Sequence, residues 1–164
     1  MSDKSAISGK AMTVLGPVDP SALGPMQTHE HLLINMEPYF KMPQEAGLRA
    51  LADAPVTMDI LGKIASEWMH NRESLLQIEE RVAIEEVMEF KLAGGGTLVD
   101  ATSIGIGRDP LALARISRAT GLNVIMGGSY YVPLSYPPDM EKRSSEDIFE
   151  SIVRDVTVGI KDTG

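Results

Sequence analysis

"AGGGTLVDATSIGIGRDPLALARIS", residues 93–117, is the stretch from which the fold can be read. Three glycines at 94–96 close an amphipathic helix. "TLVDAT", 97–102, follows as a short apolar run of the kind that forms a buried strand. Asp109-Pro110 then supplies an N-cap and a proline at the first helical position, and Gly121 stops the helix after about Thr120.

The same alternation extends in both directions. "NVIMGG", 123–128, reads as a second apolar strand, and "SYYVPLSYPP", 129–138, as a proline-rich loop. Ser144 and Asp147 are spaced as a capping box for a third helix, with Ile148, Ile152 and Val156 along one face. Upstream, a long helix is expected from about Glu73 to Ala93. Leu75, Ile78, Val82, Val87 and Phe90 recur near the 3.6 period, opposite Glu79, Glu80, Glu85, Glu86 and Lys91. Residues 58–68 read as a short helix with Ile60, Leu61 and Ile64 inward, and residues 34–56 as a long irregular loop. "AMTVLGPVDPSALGPMQT", 11–28, reads as two extended pieces joined by a turn, the second delivering the chain to His29.

Three strand–helix units in series predict a parallel α/β sheet with right-handed crossovers. An open doubly wound sheet and a TIM barrel both begin this way. In either, the active face lies at the C-terminal ends of the strands, where His29/His31, the "GIGRD" loop and the "SYY" loop fall.

Composition narrows the chemistry. The 164 residues, 43% of them apolar, suffice for one domain and one core. Fifteen basic against 23 acidic residues give a net charge of −8, which argues against nucleic acid or an anionic membrane surface as a partner. With no cysteine, any metal must be held by imidazole and carboxylate, a donor set that suits zinc or its neighbours. The polar start "MSDKSAISGKAM" lacks the apolar run of a secretory signal, and no stretch is long and apolar enough to span a bilayer. A cytoplasmic location is the expectation.

"QTHEHLL", 27–33, carries the sharpest chemical signal. Side chains two apart on a strand share a face, so His29 and His31 can reach one ion from one rigid element. A pair is half a ligand set, and the spacing equally admits two surface histidines near a turn. Glu30 should point the other way, as a structural partner. His70, in "WMHNRE", should face water. Asp100 reads as a partner for Arg108 or for backbone amides at the strand end, and Glu79-Glu80 and Glu85-Glu86 as a solvated helix face. Gly94–Gly96 runs from helix to strand, the reverse of a phosphate cradle. "GIGRDP" has the right direction, but Pro110 occupies the place of the third glycine of a dinucleotide fingerprint. Tyr130 and Tyr131 either line a pocket or pack under a neighbouring helix.

Together, "GPMQTHEHLL", "EFKLAGGGTLVDATSIGIGRDPLALARIS", "TGLNVIMGGSYY" and the closing "VGIKDTG" resemble the phosphotriesterase family of the amidohydrolase superfamily, nearest its phosphotriesterase-related, resiniferatoxin-binding-protein-like branch. The resemblance implies a (β/α)8 TIM barrel with two divalent metal ions, expected to be zinc, at the C-terminal ends of its strands. His29 and His31 match the strand-one ligands of the more buried metal. Tyr130, and with it Tyr131, matches aromatics that line the substrate pocket. The remaining ligands of relatives come from strands four to eight, which would lie beyond Gly164. A complete barrel takes about 250 residues, so residues 1–164 are expected to be the N-terminal portion of one barrel domain, its first three βα units. The implied activity is hydrolysis of a small-molecule lactone, ester, amide or phosphotriester by metal-activated hydroxide, with a homodimer as a further expected association. The alternative is a truncated, non-catalytic binding or scaffold protein.

Overall fold

A computed structural model describes residues 7–160. "VGIKDTG", 158–164, lies partly outside the described residues. Ala11–Thr13 (β1) and Gly16–Val18 (β2) pair as an antiparallel hairpin, so the first extended piece is itself two strands. Met26–Glu30 (β3) then enters a three-stranded parallel sheet whose other members are Thr97–Asp100 and Asn123–Met126.

The segment expected as an irregular loop is built of short elements. Ile34–Asn35 (β4) pairs antiparallel with Leu76–Gln77 (β5), and Ala46–Arg49 (α1) and Leu61–Ser66 (α2) lie between them in sequence. Ile64 is buried, as the short helix required, whereas Leu61 is exposed. Fully buried Asn71 organises this lobe. Its Nδ2 donates to the carbonyls of Leu51 (2.6 Å) and Ala54 (2.8 Å), and its Oδ1 accepts from the Ser74 amide at 2.8 Å. Asn71→Ala would remove all three bonds and leave their half-buried partners unpaired, so we expect a loss of about 2–3 kcal/mol in denaturant unfolding.

The long helix starts later than its apolar period suggests. Glu73–Leu75 is a 3-10 turn, Leu76 and Gln77 are diverted into the pairing with β4, and the helix runs only over Glu80–Leu92 (α3). Its buried stripe is therefore Ala83 and Val87, with Ile84 and Phe90 alongside, while Ile78 and Val82 are exposed. The glutamates are not simply solvated either. Glu80 forms a two-pronged ion pair with Arg115 of the next helix, whose hydrogen bonding holds the Glu80 carboxyl below its ordinary range, and Glu85 pairs with Arg81 at 2.6 Å.

From Gly94 onward the elements follow the local start and stop signals in order. Thr97–Asp100 (β6) leads to Pro110–Thr120 (α4), where the Asp109 side chain accepts from the Ala112 amide and Gly121 ends the helix at φ 68°. Asn123–Met126 (β7) follows, then Ser145–Thr157 (α5) with the full Ser144/Asp147 capping box. The sheet order is β3-β6-β7, all parallel. Its core joins Leu98 and Val124 of the strands to Val87, Leu113 and Ile116 of the helices and to Leu32 and Leu33 just past β3. Gly96 has a specific reason to be glycine: a Cβ there would overlap the Leu23 carbonyl where the chain turns into β3.

Coverage of the sheet is unequal. The Val14 amide donates to the Val124 carbonyl at 2.8 Å, so the hairpin shields part of the outer edge of β7. Helix α5 is thinly covered for its length: none of its residues is buried. Ile148 and Ile152 are half-buried, but Val156, expected inward, is 53% exposed, and Phe149 is 60% exposed. Among the described residues no helix is long and apolar enough to cross a membrane.

Candidate metal and substrate site

The two histidines sit where β3 leaves the sheet. Pairing of β3 with β6 is regular at Gln27↔Leu98, shifts before Glu30↔Asp100, and resumes with the Ala101 amide donating to the Glu30 carbonyl at 2.8 Å. His29 lies within that irregularity and is exposed; His31, just past the strand, is half-buried.

Asp100, at the C-terminal end of β6, is fully buried and fixes this turn. Its Oδ2 accepts from the Leu32 amide and its Oδ1 from the Thr102 amide, both at 2.8 Å. Of its two expected partners, backbone amides are the ones observed. Arg108 instead donates to the Gly127 carbonyl (3.1 Å) and to Asp155 of α5 (2.9 Å). On the other side, Gln77 Nε2 donates to the carbonyls of His31 and Leu32, both at 3.0 Å. Thr102 Oγ1 donates to the Leu33 carbonyl at 3.0 Å and lies 2.9 Å from His31 Nδ1. The backbone that carries His31 is thus held from β5, from β6 and from the loop after β6. Buried polar groups satisfied in this way cannot shift cheaply.

The geometry of the pair can be tested against a shared ion. The ring centroids are 5.5 Å apart and the ring planes cross at 81°. With a zinc–nitrogen distance of about 2.1 Å, and about 1.1 Å from nitrogen to centroid, two imidazoles at a tetrahedral angle have centroids roughly 5.2 Å apart. The observed centroid spacing is close to that value, and with Nδ1 against Thr102 the Nε2 of His31 is the ring nitrogen without a hydrogen bond among the described residues. Among the described residues no three His, Asp or Glu side chains come together as a metal-holding group. Glu30 does not close it. Together with His31, Gln77, Glu86 and Phe90 it borders a cavity of about 300 Å³ beside β3 and α3. His70 is away from the pair. Contrary to expectation it is half-buried, with Nδ1 3.2 Å from Glu67 Oε2 in the lobe between β4 and β5.

The two tyrosines after β7 diverge. Tyr130 is half-buried; its hydroxyl accepts from Arg143 Nη1, and its ring meets Tyr136 edge-on at 6.3 Å. Arg143 also donates to Asp139 at 2.8 and 3.0 Å, and that hydrogen bonding holds the Asp139 carboxyl below its ordinary range. Tyr131 is exposed and lies 6.5 Å from the ring of Tyr39, which in turn lies 6.2 Å from Trp68. The Tyr39 hydroxyl is buried without a partner among the described residues. Tyr39, Trp68 and Gln77 escape a sequence reading because they come from segments that look like loop or helix.

Gly105, in the "GIGRD" loop, supports the same face. It adopts φ +94°, and a Cβ would overlap the Ser135 carbonyl of the proline-rich loop. The Asn35 amide donates to the Ile106 carbonyl at 2.9 Å, tying the loop to β4.

With this geometry in place, comparisons with known proteins are informative. A sequence model described as "Phosphotriesterase family" matches residues 9–164. A Xenopus tropicalis protein named N-acetyltaurine hydrolase is 39% identical over 160 residues, covering 97% of this chain and 46% of its own length. The crystal structure of a resiniferatoxin-binding protein from Rhodobacter sphaeroides shares 39% identity and superposes with a TM-score of 0.91 over 94% of this chain and 43% of that one. The organophosphorus hydrolase of Deinococcus radiodurans, 28% identical, superposes with a TM-score of 0.62 over 94% of this chain and 40% of its own. The chain therefore spans under half the length of these relatives.

Proposed function

Because the chain belongs to the phosphotriesterase family, a family of TIM-barrel proteins to which it contributes α/β units, we propose that the whole protein is a metal-dependent hydrolase. The observation that carries this reading is the His29–His31 pair: 5.5 Å between rings, on the C-terminal end of a parallel strand, with one ring already hydrogen-bonded through Nδ1. A divalent cation in such a centre supplies Lewis acidity and makes hydroxide available near neutral pH. Zinc suits a site of imidazoles without thiolates, and a complete centre needs donors besides the two that meet among the described residues.

The residues of this chain would divide the work as follows. His29 and His31 hold one ion. Asp100, Gln77 and Thr102 keep the His31 turn rigid, so that ligand geometry is set before metal or substrate arrives. Tyr131, Tyr39 and Trp68 offer an apolar wall at the same end of the sheet, and Tyr130, anchored by Arg143, shapes the loop from which Tyr131 projects. Among lactones, esters, amides and phosphotriesters, the amide class is favoured, because a 39% identical relative is named N-acetyltaurine hydrolase.

A panel of one N-acyl amide, one carboxylic ester, one lactone and one phosphotriester tests this in the full-length protein. We expect hydrolysis to fall to background on chelation and to return with added zinc, with the amide turned over best. Hydrolysis indifferent to chelation would overturn the metal reading. A non-catalytic scaffold is the competing reading, favoured by the fact that only two donors meet among the described residues. A full-length protein that binds no metal and hydrolyses none of the four would establish it.

A further inference from the structure

We infer that Thr102 is a positioning residue that fixes His31 as the Nδ1–H tautomer, leaving the Nε2 lone pair as its only donor. The argument is a count of protons. A threonine hydroxyl carries one hydrogen and two lone pairs. Thr102 is 1% exposed, and its Oγ1 lies 3.0 Å from the Leu33 carbonyl and 2.9 Å from His31 Nδ1. A carbonyl oxygen can only accept, and no other donor reaches the Leu33 carbonyl among the described residues. Leu33 itself is buried, so a carbonyl left without a donor there would cost about 1–3 kcal/mol. The single hydroxyl hydrogen is therefore committed to Leu33. The face of Oγ1 turned to His31 can only accept, and the proton between them belongs to Nδ1.

The hydroxyl does not float in this arrangement. The Thr102 amide donates to Asp100 Oδ1 at 2.8 Å, and the same carboxylate holds the Leu32 amide. One rigid turn thus carries both the histidine and the group that sets its tautomer. Free imidazole exchanges its proton between the two nitrogens, so without Thr102 a fraction of rings would present a protonated Nε2 and have to rearrange before ligating. That consequence for ligation rests on the metal-dependent reading proposed above; the tautomer itself does not.

The test is nitrogen NMR on metal-free full-length protein labelled with 15N in the histidine rings, His31 being assigned from the signals lost in His31→Gln. The expected spectrum shows His31 Nδ1 as the protonated, pyrrole-type nitrogen and Nε2 as the unprotonated, pyridine-type one. Thr102→Val keeps the side-chain shape, removes the hydroxyl and should shift His31 toward the Nε2–H form; Thr102→Ser should restore the wild-type pattern. Zinc titration of the same samples should show affinity lowered about 10–100-fold in Thr102→Val and largely recovered in Thr102→Ser. If Thr102 served only the Leu33 carbonyl, Thr102→Val would lower stability without moving the ring signals, and that result overturns the inference. So does a wild-type His31 carrying its proton on Nε2, which decides the matter even if Thr102→Val fails to fold. A wild-type protein that shows Nδ1–H yet takes up no zinc would sink the hydrolase reading and leave the tautomer assignment standing.

Discussion

His29→Ala in the full-length protein should weaken metal binding at this site by more than the roughly 10–100-fold typical of losing a residue that merely supports a ligand. Hydrolysis should fall with occupancy. The same substitution should leave folding stability within about 0.5 kcal/mol, because changes at exposed positions outside packed networks rarely do more. His29 is exposed, and the one aromatic ring set against its own among the described residues is that of His31. The pairing of a large metal effect with a negligible stability effect is what distinguishes a ligand from a scaffold histidine. Metal content by mass spectrometry, read beside a urea unfolding curve, measures both; unchanged metal content would remove His29 from the site.

Asp100→Ala should act in the opposite sense, on the fold before the chemistry. Its carboxylate is fully buried and satisfies two amides at 2.8 Å, those of Leu32 and Thr102. Alanine leaves both N–H groups buried without an acceptor, at about 1–3 kcal/mol each. We expect a total near 3–5 kcal/mol, a large share of the roughly 5–15 kcal/mol that holds a typical domain together. Asp100→Asn, which keeps one acceptor and turns an NH2 toward the other amide, should fall between. Denaturant midpoints measure the series. Wild-type stability in Asp100→Ala would mean the turn carrying His31 is held by other contacts.

The parts of this molecule that were legible in sequence are those specified by near neighbours. Asp109-Pro110 and Gly121 bound α4, Ser144 and Asp147 cap α5, and the apolar runs at 97–100 and 123–126 are β6 and β7. Each signal involves residues a few positions apart, where local hydrogen bonding decides the outcome. What escaped depends on distant partners. Leu76 and Gln77 continue the helical period of α3, yet pairing with Ile34 and Asn35 takes them out of the helix. Two-residue strands leave no period to read. Asn71 looks like one polar residue in a polar run, and only its three bonds to residues 51, 54 and 74 show that it anchors a lobe.

The candidate site divides in the same way. His29 and His31 announce themselves by spacing, and Asp100, ending a strand, admits either Arg108 or backbone amides as partners, of which the structure has the amides. Thr102 and Gln77 have no sequence signature, since their roles depend on hydrogen bonds to residues 45 or more positions away. Tyr130 and Tyr131 were read as a pair, but adjacent side chains in an extended loop point to different sides. One meets Arg143 and the other Tyr39.

The most direct check on the central claim is anomalous diffraction at the zinc edge from crystals of the full-length protein grown with zinc. A peak about 2.1 Å from a ring nitrogen of both His29 and His31, with His31 Nδ1 still on Thr102, is the predicted result. No anomalous signal at the two rings in a crystal that binds zinc elsewhere would contradict the account.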